Sequence, residues 1–487
     1  NTNNGLSIPG FYSLSASVDP VSASSQFQKK QVNSLYGKAS LAYKNAYYLD
    51  ITGRNDWSST LPSSTRSYFY PSVAFSSIVS EIASLPKFIS FWKLRASWTV
   101  SKKDLGIFDL NQAYSINTNA WNSMNTEYYP STIRDGNVKP QTSRVYELGT
   151  NVRFLNNRIN LDYAYFNRLQ YNLLVNTSIS GATGFNYKQT NTDEQWVQRG
   201  MEISLKGTPV KRANLEWEVM LNWSYNHWYY DQLDPVYTDQ KTYIKKGARY
   251  DVARTRDWER DPNGNMVIGS DGYPKKSSFF SDKIGYTDPK WIWGLTNSVK
   301  YKNWSCYITF DGRVGGLAYS STEYGLWAAG SHPDSDNQWR YDEVVNGKTN
   351  YVGEGVKVVS GELVRDGSGK IVSDSRVFAK NDIKVPYTHY MEAWSGYGSD
   401  DGGNPRVNPR ELYFSQTFLK LRELAINYTV PSRFCKKVGM KNISLGLIGQ
   451  NLLIWTKGFR FDDPDSGSGN LPSPSQRYVG FNFKLGL

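Results

Sequence analysis

The stretch FWKLRASWTV, residues 91–100, decides the fold. Trp92, Leu94, Ala96, Trp98 and Val100 fall on one side of an extended chain, and Lys93, Arg95, Ser97 and Thr99 on the other, because successive side chains of a strand point to opposite faces. Such a strand is apolar along one face and charged along the other. The same two-residue period returns in Tyr146, Leu148, Thr150, Val152 and Phe154, and then, after Asn156 and Asn157, in Ile159, Leu161, Tyr163 and Tyr165. A pair of Asn residues between two such runs predicts a tight hairpin. Further runs are Leu215, Trp217, Val219, Leu221, Trp223 and Tyr225; Trp304, Cys306, Ile308 and Phe310; and Phe481, Phe483, Leu485 and Leu487. Helical patterning is confined to a short turn over 81–85.

Counting such runs predicts about thirteen strands, many longer than the ~5–6 residues usual in soluble sheets and close to the ~9–11 that cross a bilayer at a tilt. Short links near Asn45, Asn156, Pro209, Asn303 and Ser432 alternate with long polar ones at about 102–143, 176–195, 231–289, 319–414 and 457–476. A half-buried strand of a large soluble β-protein alternates in the same way. Loop segregation separates the two, because outer-membrane barrels have short periplasmic turns and long extracellular loops. The expected fold is therefore all-β: an antiparallel transmembrane β-barrel with apolar faces on lipid and polar faces on a wet lumen.

Composition agrees with that expectation. Among 487 residues, 56 Lys and Arg face 44 Asp and Glu, a net charge of +12. Mean hydropathy is −0.57, yet 15% of the chain is aromatic. Tyr and Trp join an apolar ring to a polar tip, so this excess suits surfaces wet on one side and apolar or sugar-like on the other. No stretch reaches ~18 uninterrupted apolar residues, which excludes a transmembrane helix. Basic residues are scattered, which argues against nucleic acid and suits anionic lipopolysaccharide or an acidic partner. The N-terminal NTNNGLSIPGFYSLS has no basic or apolar leader region, so either a signal was removed or the chain is a piece of something longer.

Chemistry has few carriers. There is no GxSxG, and His227, His332 and His389 sit in unrelated segments. Cys306 and Cys435 form no CxxC pattern; both are expected to pack as small apolar groups, with one disulfide left open. Neither an enzyme, a cofactor nor a metal site is expected. DPNGNMVIGSDG, residues 261–272, sets Asp261, Asn263 and Asn265 at calcium-loop spacing, but Met266 stands where Gly is required and Gly272 where Glu is. With VRDGSGKIV around Asp366, it reads as a hairpin turn used twice.

Two groups remain as candidates. Asp50 with Arg54, Lys93 with Arg95, and Asp311 with Arg313 should line the lumen, where a polar solute must pass; a solvated, mutually paired wall would carry the same charges. Tyr324, Trp327, Trp339, Tyr341, Trp394 and Tyr397 all fall in the longest loop, where flat rings would stack on sugars or peptide side chains. A loop using aromatics as its own small core would look alike.

The segments YYLDITGRNDWSSTLP, SYFYPSVAFS, FWKLRASWTV, VKPQTSRVYELGTNVRFLNNRINLDYAYFNRLQYNLL, WVQRGMEISLKGTPVKRANLEWEVMLNWSYN, DPKWIWGLTNSVKYKNWSCYITFDGRVGG, FLKLRELAINYTVP and GQNLLIWTKGFRFDDPDSG resemble, in order, those of SusC/RagA-type TonB-dependent outer-membrane transporters of Bacteroidetes. Such barrels usually end on Phe, whereas this chain ends on Leu487. The resemblance covers the C-terminal part of a 22-stranded, plugged barrel; a plug domain and TonB-box segment do not appear in the sequence. It implies that residues 1–32 are the end of an extracellular loop and 33–487 the C-terminal barrel portion. It further implies TonB-dependent import of oligosaccharides or peptides, with ligand trapped under a SusD-like surface lipoprotein. The remainder of the transporter would supply the plug and N-terminal strands, and TonB–ExbB–ExbD would act through that plug. A passive porin and a secreted, aromatic-rich glycan-binding β-protein are the alternatives.

Overall fold

Alternating segments gain most when each pairs with the next one along the chain, since a short turn brings them together at little entropic cost. The computed structural model shows that outcome. It describes residues 3–19, 27–121, 124–236, 244–277, 283–366, 371–397, 407–467, 469 and 475–486; Leu487 and residues 367–370, where the sequence predicts a hairpin turn, lie outside them. Thirteen antiparallel strands form one sheet in chain order. They are β1 (Val32–Tyr43), β2 (Tyr47–Ser58), β3 (Ser67–Ile78), β4 (Ile89–Lys103), β5 (Gln141–Phe154), β6 (Ile159–Tyr171) and β7 (Gln195–Arg212). They continue as β8 (Leu215–Gln232), β9 (Trp291–Tyr301), β10 (Trp304–Val314), β11 (Phe418–Thr429), β12 (Asn442–Thr456) and β13 (Tyr478–Gly486).

Tight turns lie at one end. Lys44 and Asn45 join β1 to β2 with φ of 51° and 52°, and Leu155, Asn156 and Asn157 join β5 to β6 with φ of 51°, 55° and 65°. Asn tolerates this left-handed region better than most residues. The link expected near Pro209 is displaced: β7 runs on to Arg212 and turns at Ala213 and Asn214. Pro209 sits instead in an irregularity of the β7–β8 ladder between Gly207 and Val210, because proline has no N–H to give a ladder. At the opposite end the connections are 59–66, 104–140, 172–194, 233–290, 315–417 and 457–477.

Register carries one polar face across the sheet. Lys93, Asn151, Asp162, Ser204, Asn222, Gly294, Asp311 and Lys420 are successive partners in one row. Their neighbours in sequence point the other way: Val152, Leu161, Leu205, Leu221, Leu295 and Phe310 form an apolar row. Aromatic residues flank that apolar face. Tyr43 stacks on Tyr47 and Trp304 meets Tyr428 at the tight-turn end, while Trp223, paired with Trp293, marks the other. From Trp293 to Tyr301 is eight residues, ~26 Å along a strand and ~20 Å along the normal at ~40° tilt, close to the ~25 Å apolar band of outer-membrane barrels. Phe481, Leu447 and Leu35 on this face are 80%, 64% and 70% exposed, which is tolerable only against lipid.

Within the described residues no helix is long and apolar enough to cross a membrane. Cys435 is buried in a short helix, Ser432–Lys437, Cys306 is half-buried on β10, and both are free. The connection 315–417, read from sequence as a polar loop, contains α1 (Ser321–Ala328), α2 (Gln338–Val344) and α3 (Tyr387–Ser395). The Ser320 hydroxyl accepts from the Glu323 N–H, and the Asn337 side chain from those of Trp339 and Arg340; such N-caps start helices too short to announce themselves by periodicity.

Candidate functional site

Because the polar row is in register, its charges meet across strands. Arg95 on β4 donates to both carboxylate oxygens of Asp162 on β6, at 2.8 and 3.2 Å, and lies 3.8 Å from Glu147. Its guanidinium passes over Gly149 on the intervening strand, where an added Cβ would stand 2.5 Å from Arg95 Nε. Gly149→Val is therefore expected to displace Arg95 and cost about 1–3 kcal/mol, read as a lowered unfolding midpoint in detergent. Asp50 accepts from Ser40 Oγ and lies 3.5 Å from Lys38. Arg54 pairs with Asp56 at 2.7 Å and donates to Ser34 Oγ at 2.9 Å. Lys93 is half-buried and makes no ion pair among the described residues.

A second network lies on β10 and β11. Asp311 accepts from Arg422 Nε at 2.7 Å, and Arg313 donates to Gln416 Oε1 at 2.8 Å and to the Pro464 carbonyl at 3.2 Å. The 457–477 connection folds inward to meet them. Its Asp465 accepts from Arg422 and, at 3.2 Å, from Lys420, a residue only 1% exposed whose ammonium also bonds Asp463. Burial opposes ionisation of Asp465, yet Arg422 and Lys420 outweigh it and hold the carboxyl below its usual range. Arg95, Asp311 and Arg313 converge on one lumenal cavity of about 600 Å³, also lined by Asp162, Glu202 and Asn222. Asp50, Arg54 and Lys93 do not reach it.

The aromatic residues of 315–417 divide into two sets. Trp327 stacks on His332 with centroids 4.0 Å apart and meets Trp394 edge-on at 5.5 Å; Tyr324 packs near Tyr319 at 6.4 Å. Burial and this packing make them part of the cap's own core. Trp339, Tyr341 and Tyr397 instead remain 44%, 55% and 56% exposed; Trp339 meets Tyr351 edge-on at 5.8 Å, and all three leave ring surface that can stack on a solute. His332 Nδ1 accepts from the Asp334 N–H, so its Nε2–H donates to Glu323 at 2.8 Å. That neutral tautomer holds α1 to the segment after it.

Sequence reading missed the charged spine that locks the cap. Asp257, fully buried, pairs with Arg260 at 3.0 Å and with Arg410 at 2.6 Å; Arg260 also meets Glu411 at 2.6 Å. Arg376 pairs with Glu259 and Asp374. These contacts, a parallel pairing of Val267–Ile268 with Val356 and Lys357, and a bond from Trp258 Nε1 to the Trp394 carbonyl join connections 233–290 and 315–417 into one cap. Residues more than a hundred positions apart carry no sequence signal of such pairing. At the calcium-like spacing, the Asp261 carboxylate accepts from the N–H groups of Asn263 and Asn265 and from the Asn265 side chain. Its acceptors are spent on closing a turn at Gly264, whose φ is 89°.

Residues 2–368 match the family model described as TonB dependent receptor-like, beta-barrel. TonB-dependent receptor P3 of Formosa agariphila is 21% identical over 89% of this chain and 42% of its own length. TonB-dependent receptor P26 of the same organism is 23% identical over 97% of this chain and 48% of its own. Among solved structures, one titled as the RagAB peptide transporter superposes with a TM-score of 0.67 at 17% identity, covering 94% of this chain and 48% of that one. The chain thus spans about half the length of the relatives it matches.

Proposed function

Since the chain belongs to the TonB-dependent receptor-like β-barrel family and is a SusC/RagA-type barrel of the outer membrane, we propose that it is part of an importer that takes up oligosaccharides or peptides with energy delivered through TonB. The carrying observation is the in-register polar row, which presents paired charges to a lumen beneath a folded cap, opposite an apolar face flanked by aromatics. In this reading residues 33–487 supply the C-terminal wall and mouth of a larger barrel, and 1–32 the end of an outer loop. Strands β1 and β13 each have one partner in the sheet, and an unpaired edge in lipid is costly. Further strands, with a plug, would complete the wall.

Trp339, Tyr341 and Tyr397 would take the ligand at the mouth, while Arg95, Asp311 and Arg313 face its path. A SusD-like lipoprotein would cover the cap, and TonB–ExbB–ExbD would act on the plug. No covalent chemistry is assigned to any residue. Peptides are the first ligand class to test, because the solved neighbours are titled peptide transporter and peptide importer.

The test is uptake of labelled peptides and oligosaccharides by cells with the gene deleted, restored, or restored in a strain lacking TonB. Uptake restored only with TonB is the expected result. Restoration without TonB would make the barrel a passive porin and overturn the reading. Trp339→Ala combined with Tyr397→Ala should raise the half-saturating ligand concentration while leaving the amount of barrel in the membrane unchanged.

A further inference from the structure

One polar cluster lies apart from both the lumen and the cap spine. His227 stands near the end of β8, Asp251 within the connection that follows, and Asp288 just before β9. A ring nitrogen of His227 and one carboxylate oxygen from each aspartate lie within 4.8 Å of one another. His227 is 2% exposed and Asp251 8%.

The imidazole has one unused nitrogen. Its Nδ1 is buried with no hydrogen-bond partner among the described residues. A buried histidine nitrogen left bare beside two carboxylates has the arrangement of a metal ligand. Without an ion, the buried nitrogen would lose its solvation and gain nothing.

The carboxylates point to the same ligand. Asp251 accepts from Arg249 at both oxygens, from Nε at 2.8 Å and from Nη2 at 2.5 Å, and from the Asp288 N–H at 3.0 Å, so the two aspartates are held against each other. Arg249 offsets one of the two charges; Asp288 makes no ion pair among the described residues.

We propose that His227 Nδ1, Asp251 and Asp288 bind a single divalent transition-metal ion of the zinc type, which staples the interior and the far end of the 233–290 connection to β8. Imidazole with carboxylates suits zinc better than calcium or magnesium. Bonds of ~2.0–2.2 Å set tetrahedral ligands ~3.3 Å apart, so the cluster contracts slightly on binding and takes water as its fourth ligand. This site is independent of the import reading, because it needs neither TonB nor a solute.

The experiment uses the protein as it purifies from outer membranes in detergent, stripped with a chelator and titrated with zinc chloride in a calorimeter. Zinc should bind at one site and raise the thermal midpoint. Asp288→Asn, which keeps the shape of the side chain, and His227→Gln should each weaken binding at least about tenfold, or about 1.4 kcal/mol, with strand content unchanged by circular dichroism. No zinc binding to the stripped protein, or equal binding by the protein and by Asp288→Asn, would overturn the assignment.

Discussion

Leu221→Arg should destabilise the protein by about 1–3 kcal/mol, whereas Asn222→Arg, one residue along, should cost less than about 1 kcal/mol. Leu221 lies between Leu205 and Leu295 in the apolar row, and Asn222 between Ser204 and Gly294 in the polar one. Both lie in the outer half of the apolar span, Leu221 two residues and Asn222 one residue from Trp223. A guanidinium at Leu221 would enter hydrocarbon, where water can reach it only by deforming the bilayer. At Asn222 it would enter the lumen, with Asp162 and Asp311 in the same row to receive it. Denaturant unfolding from lipid vesicles reads both variants. Equal losses, or a larger loss at Asn222, would mean that the faces are assigned the wrong way round.

The second large effect is expected at Lys420. The residue is 1% exposed, and its ammonium bonds Asp463 and Asp465. Lys420→Met keeps much of the volume but leaves buried carboxylates without that counter-charge, a loss of about 3–5 kcal/mol. Arg422 still reaches Asp465, so the penalty falls mainly on Asp463. Adding Asp463→Asn to Lys420→Met should recover a substantial part, because the uncompensated charge goes with it. A double variant as unstable as the single one would show that Lys420 acts through packing alone.

Acidity should weaken the same network. The Asp465 carboxyl is held below its usual range, so its stabilisation is complete above the ~3.9 of an unfolded aspartate and is lost as pH falls through the lower folded value. At neutral pH the full effect of Lys420→Met should therefore be visible, and it should shrink below about pH 4.

Much of the architecture was legible in residues such as Trp92 to Val100. A period of two is a local property, so one strand suffices to show which side chains share a face. The number of strands, the grouping of short and long connections and the resemblance to SusC/RagA-type barrels followed from repetition of that pattern. Where the pattern was interrupted, reading was poorer: Pro209 marked a bulge inside β7 instead of a turn, and three helices in 315–417 were too short to reveal a period.

The candidate site was legible only as a list of residue types. Arg95 and Asp311 could be placed on a polar face from sequence, but not that Arg95 lies across Gly149 to reach Asp162, nor that Asp311 shares Arg422 with Asp465. The aromatic residues of the long loop could be named, but not divided into Trp327 and Trp394, which pack the cap, and Trp339, Tyr341 and Tyr397, which stay exposed. His227, Asp251 and Asp288 looked unrelated. By itself the sequence determined strands, faces and the lipid-facing surface, because alternation acts between neighbours in the chain. Tertiary structure alone decided which charges pair, which rings are free and where a cation could sit, because those depend on inter-strand register and on how long connections fold back over the sheet.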